Sequence, residues 1–109
     1  MKNLNVTFIQ RLKAANILGL ASGNLDKILP LQYALESFRF NDDEMKQIKI
    51  VDRGNGIQSY EAPNGGFGNK EVKLEDAHAA AVLRELDSFQ GYQVVDIAWL
   101  TDLKKQLGD

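Results

Sequence analysis

The chain contains no cysteine and a single histidine, His78. The first absence removes disulfide staples, thiolate metal ligands and a cysteine nucleophile together, and the second leaves most metal and triad chemistry short of a ligand or a base. Long apolar runs are missing too. No stretch approaches the ~18 uninterrupted apolar residues of a membrane helix, and Met1 to Thr7 lack the apolar run of a signal peptide, so the expected location is the cytoplasm, with no membrane partner. There is also little excess of one charge. Thirteen basic against fifteen acidic residues give a net charge of −2, which argues against a dominant nucleic-acid-binding role while leaving room for a local basic patch.

What is present suits one globular domain over residues 1–109. At 44% hydrophobic and 26% charged, the composition is far from the low-apolar, high-charge region of disorder. A domain of this size hides roughly 60 to 70% of its extended surface, enough for one core without metal or disulfide.

Thr7-Phe8-Ile9-Gln10 has the form of a capping box and predicts a helix from about Phe8 to Leu18, with Phe8, Leu12, Ala15 and Leu18 on the inner face. Arg11, Lys13 and Asn16 fall on the opposing face, and Gly19 supplies a left-handed stop. Leu4, Val6 and Phe8 also alternate, which leaves open a short strand leading into that helix. Asn24 can cap a turn through Ile28, and the continuous second helix is expected to begin near Pro30, where a missing N–H costs nothing, with Leu31, Leu35 and Phe38 on one face. At Asn41 a cap, a Glu44 that closes a box, acids in the first turn and a Phe40–Met45 staple coincide.

Gly54, Gly56, Gly65, Gly66 and Gly68, five of the nine glycines, crowd one stretch with Pro63 and the pairs Asn55-Gly56 and Asn64-Gly65. Asn-Gly favours tight hairpins, so Ile48–Asp52, Ile57–Glu61 and Lys70–Leu74 are candidate strands of a small antiparallel hairpin or meander, with Ile50, Ile57, Tyr60 and Val72 packed on helices. From Asp76 a strongly helix-favouring segment runs to a stop at Gly91 and buries Ala79, Val82, Leu83, Leu86 and Phe89. Asp96 then caps a final helix with a Val95–Leu100 staple, Ile97, Leu100, Leu103 and Leu107 inward, and Lys104 and Lys105 at its negative end. The fold class is α+β, mainly helical, with four to five helices around that small hairpin or meander.

Chemistry-bearing motifs are sparse. Glu75-x-x-His78 has a spacing used in carboxylate-bridged di-metal bundles, but its second copy is missing, so neither metal nor cofactor is expected. No serine lies in a nucleophile elbow, and the acids at Asp42–Glu44 and Glu75–Asp76 are explained by helix starts, so no catalytic residue is assigned and the chain is read as a non-enzyme. The loop from Asn64 to Lys70 lacks the phosphate-loop pattern. Phe67 at its tip either tucks back or is offered to a partner, which makes Phe67, Tyr60 and Lys70 the candidate partner-binding residues. Arg11, Lys13 and Lys27 are the candidate phosphate contacts of an alternative reading.

Taken in order, Phe8-Ile9-Gln10-Arg11-Leu12, the Gly23-Asn24-Leu25 loop, Phe40-Asn41-Asp42-Asp43-Glu44, the Gly-rich hairpin, Lys73-Leu74-Glu75-Asp76 and the Leu100–Leu107 helix resemble small proteins of unknown role in phage and prophage genomes. The resemblance is one of architecture and implies a mobile-element accessory protein rather than a mechanism. The expected function is therefore interaction with another protein, self-association included. The alternative is a nucleic-acid-associated regulator that uses the basic first helix.

Overall fold

In the computed structural model, which describes residues 1–54, 57–61 and 69–108 and, at 50–53 and 57–61, the backbone alone, the alternation at the chain's start resolves as extended structure. Strand β1 spans Lys2–Val6 with Leu4 and Val6 buried and Asn3 and Asn5 exposed, and helix α1 follows over Phe8–Gly19. Thr7 between them forms the expected capping box: its hydroxyl accepts from the Gln10 N–H at 3.2 Å, and the Gln10 side-chain oxygen accepts from the Thr7 N–H at 2.9 Å. Helix α2 covers Leu25–Phe38, α3 Asp42–Gln47, β2 Lys49–Gly54, β3 Ile57–Glu61, β4 Lys70–Leu74 and α4 Asp76–Ser88. A 3₁₀ turn, Val94–Asp96, leads into α5, Ile97–Gly108. Five α-helices and two antiparallel strand pairs among the described residues give the mainly helical α+β fold.

The strand pairing is not that of a three-stranded meander. β2 and β3 form a hairpin with Lys49 opposite Glu61, and a bulge between Asp52 and Gly54 falls where Gly54 takes a left-handed φ of 87°. β4 pairs instead with β1, Leu4 opposite Val72 and Val6 opposite Lys70. Burial is the reason. Leu4, Val6, Val72 and Leu74 share one sheet face at 2% exposure or less, and α2 and α5 pack on the pair. The outer edge of β1 is covered by a side chain, since the Gln106 amide of α5 accepts from the Asn5 N–H at 2.7 Å and donates to the Asn5 carbonyl at 3.0 Å. Both backbone groups are thus satisfied as a neighbouring strand would satisfy them.

Helix boundaries differ from expectation in α1, α2 and α4, the last ending at Ser88 with Phe89 already extended rather than at a Gly91 stop. α2 begins at the Asn24 cap, whose side chain accepts from the Lys27 N–H at 3.1 Å, and runs through Pro30. A proline there costs about 3 kcal/mol, because it cannot donate to the preceding turn. Burial of Leu31, Ala34 and Phe38 on the same helix outweighs that cost. Gly19 is the last helical residue of α1 rather than a left-handed stop, and Leu20 ends the helix at φ −91°.

The inward stripes of the last two helices are largely as read. Ala79, Val82 and Leu86 of α4 are buried with Leu83 and Phe89 packed against them, and Leu103 and Leu107 of α5 are buried with Leu100 beside them. Ile97 and Val95 are exposed instead, because the 3₁₀ turn rotates the start of α5 away from the core. Met45 is exposed as well, and Phe40 turns to Phe8, ring centres 5.3 Å apart, rather than stapling α3. The side chains of Ile50, Ile57 and Tyr60 and the loop tip at Phe67 lie outside the described residues.

Replacing fully buried Leu86 with alanine is expected to cost ~2–5 kcal/mol, and replacing half-buried Leu100 less than that. Chemical denaturation checks both. An unchanged midpoint for Leu86→Ala would remove that side chain from the core.

Candidate functional site

Arg11 is the largest fully buried side chain among the described residues, at 1% exposure, and its place in α1 follows from what it meets there. Helix α2 ends beside it with backbone carbonyls that no later turn can satisfy. The Arg11 guanidinium donates to the Phe38 carbonyl at 3.3 Å and to the Arg39 carbonyl at 3.0 Å, and forks onto the Glu44 carboxylate at 2.6 and 2.9 Å. Its carbon lies 4.2 Å from the centre of the Phe40 ring. Glu44 serves two helices at once, because its Oε1 also accepts from the Asn41 N–H at 2.9 Å to close the α3 capping box. The bond to Arg11, helped by the Asn41 N–H and by the charges of Arg11 and Lys70, holds the Glu44 carboxyl at about 2 rather than 4.5 despite its partial burial.

This corrects the opposing face expected for α1. Arg11 lies inside, with its donors committed to protein acceptors, while Lys13 stays exposed. Lys27 donates to the Ser22 carbonyl at 2.8 Å and sits 3.6 Å from Glu85. The three cations therefore form no common patch. Of the partner-binding candidates, Lys70 lies in β4 opposite Val6, Tyr60 is described by backbone only within β3, and Phe67 is outside the described residues. His78 stacks on Tyr33, ring centres 5.3 Å apart, and among the described residues no group of three or more acidic or histidine side chains is placed to hold a metal ion.

A different surface combines charge, rings and a hollow. Between the end of α1, the α4–α5 connection and the start of α5 lies a cavity of about 180 Å³ lined by Lys13, Leu20, Phe89, Tyr92, Asp96 and Trp99 among others. Asp96 is not the cap residue itself. It is the third residue of the 3₁₀ turn, and its Oδ2 reaches back to accept from the Gln93 N–H at 2.8 Å while Oδ1 accepts from the Trp99 indole N–H at 2.9 Å. Those two bonds, chiefly the first, hold its carboxyl below the usual carboxylate range although Asp96 is 7% exposed.

The rings stand edge to face, Phe89 to Tyr92 at 5.0 Å and Tyr92 to Trp99 at 6.4 Å. Tyr92 is anchored by a 2.7 Å bond from its hydroxyl to the Leu86 carbonyl, and burial with the nearby charges of Asp87 and Asp96 pushes its hydroxyl up to about 12. Glycine at 91 lets the Phe89 ring fold back, since a Cβ there would stand 2.5 Å from the ring. Two other depressions, of about 240 and 280 Å³, lie along α2 and are lined by no aromatic side chain.

Sequence reading missed this groove. Its signal was the closeness of Phe89, Tyr92 and Trp99 to an acid three residues before the tryptophan; all three rings are half-buried, packing against the core while also lining the hollow. No protein-family model matches the chain, and neither a curated protein nor a solved structure is found to match it.

Replacing Glu44 with glutamine leaves the buried guanidinium without a counter-charge and is expected to cost about 3 kcal/mol at neutral pH, the lower end for a broken buried pair because Glu44 is partly exposed. Since the folded-state value is depressed, the Glu44 contribution is complete above about 4.5 and is lost as pH falls towards 2. Denaturation midpoints of wild type and Glu44→Gln should therefore converge on acidification through that window. A constant gap would exclude the pair as its source.

Proposed function

We propose that the chain acts as a non-enzymatic interaction protein, and that it binds another protein through the face around the Asp96 groove. The observation that supports this is an apolar surface with no counterpart in the core. Val94 is 84% exposed, Val95 77% and Ile97 60%, and Leu20, which lines the groove, is 72% exposed. Val94 and Val95 sit on the 3₁₀ turn and Ile97 opens α5 beside it. Asp96 ties that turn to the Gln93 N–H and the Trp99 indole, so apolar groups are presented to solvent on regular structure without the ordering cost a mobile loop would add on binding. The mobile-element context implied by the sequence resemblance belongs to this proposal and rests on that resemblance.

The alternative, a nucleic-acid regulator, loses support because Arg11, the centre of its basic face, is buried against Glu44. Among the described residues, no helix is long and apolar enough to cross a membrane.

The test compares captures from host extract with wild-type, Val95→Glu and Leu25→Glu baits, followed by binding of the purified captured protein. A partner bound directly by wild type and Leu25→Glu but not by Val95→Glu is the expected outcome, with binding weakened at least tenfold. Equal binding by all three baits would overturn the choice of face. Sedimentation of wild type alone shows whether the partner is a second copy.

A further inference from the structure

Resting on the reading that this face binds a protein, we propose that the groove takes an arginine side chain of the partner, its guanidinium set against the Asp96 carboxylate and the neighbouring aromatic rings. The carboxylate is built in rather than borne on a free side chain. It is 7% exposed and fixed by the Gln93 and Trp99 N–H groups, one on each oxygen. A carboxylate offers about four lone-pair sites, so accepting capacity remains on both oxygens. The cation the chain itself brings is Lys13, 47% exposed in its side chain and 3.9 Å from Oδ1, beyond hydrogen-bond distance. A charge so held, beside Tyr92 and Trp99, favours a cation that can bond the oxygens and lie against a ring.

The molecule shows the geometry of such a pairing in its own interior. Arg11 lies over Phe40 and forks onto Glu44, a carboxylate that reaches back three residues to a backbone N–H at 2.9 Å. Asp96 reaches back three residues to the Gln93 N–H at 2.8 Å and is likewise flanked by rings, but here the arrangement faces a surface cavity of about 180 Å³. Arginine fits better than lysine because its planar fork bonds a carboxylate at two points and stacks flat on a ring, whereas an ammonium is a compact, strongly hydrated point charge. Leu20, which lines the groove, and the exposed Val94 and Val95 on the same turn as Asp96 suit apolar neighbours of that arginine.

Trp99 is the only tryptophan of the chain, so its fluorescence reports on the groove directly. The probes are acetyl-Leu-Arg-Leu-amide, the same peptide with citrulline, which keeps the shape and removes the charge, and the same peptide with lysine. A saturable change with the arginine peptide, at least tenfold weaker with citrulline and weaker with lysine, is expected. Asp96→Asn should abolish the preference for arginine over citrulline. Because that change touches a structural bond, Lys13→Ala provides a second measure: it removes the competing cation, leaves the core intact, and should tighten binding of the arginine peptide several-fold.

Equal responses to arginine and citrulline, no saturable response, or weaker binding by Lys13→Ala would overturn the proposal. The parent reading fails separately. A captured partner that is lost with Val95→Glu yet bound equally by Asp96→Asn keeps the interaction face and removes the arginine, whereas a saturable arginine-peptide response with no Val95-dependent partner keeps the pocket and removes the face.

Discussion

The Arg11 guanidinium joins three chain segments that sequence alone does not bring together. It closes the carbonyl end of α2, neutralises the acid that starts α3, and does both from the middle of α1. A buried cation of this kind is tolerated only when its desolvation is offset by a full set of acceptors. The set exists here because α2 ends and α3 begins within four residues of each other, so that an orphan carbonyl pair and a capping carboxylate fall side by side. The Phe8–Phe40 contact seals the ring side of the same cluster. If α2 stopped a turn earlier, Arg11 would face neither carbonyl, and the inner face of α1 would have to carry something apolar.

The elements set by local chemistry were legible in the sequence. Caps at Thr7 and Asn41 need only side chains three residues apart, and the stripe of α4 needs only helical spacing, so both follow from a short window. Features set by distant partners were not. Arg11 looks like a solvated cation until the end of α2 is placed against it, β4 looks like the third strand of a meander until β1 offers a better apolar face, and Pro30 looks like a boundary until the packing of Leu31, Ala34 and Phe38 is included. The groove was hidden for a related reason. An aromatic residue reads the same in sequence whether it packs on the core or lines a hollow, and Phe89, Tyr92 and Trp99 do both.

The two carboxylates Glu44 and Asp96 show how one local device serves different ends. Each lies three residues into a helical start and accepts a backbone N–H there, which fixes its orientation and favours its charged form. For Glu44 the fold supplies a guanidinium and the charge becomes part of the structure. For Asp96 the fold supplies rings and a hollow, and the charge stays directed at the surface. The difference lies in what the neighbouring elements deliver rather than in the motif.

The pairing of β1 with β4, and of Asn5 with Gln106, carries a consequence for the speed at which the chain finds its fold. Val6 must meet Lys70, and Asn5 must meet a residue 101 positions away. Helices form from neighbours within microseconds, but ordering the ends of so long a loop costs entropy before any contact rewards it. The sheet is only two strands wide, yet it is the surface on which α2 and α5 settle. A chain that is mostly helix by content thereby carries non-local closures of the kind that slow the folding of β proteins.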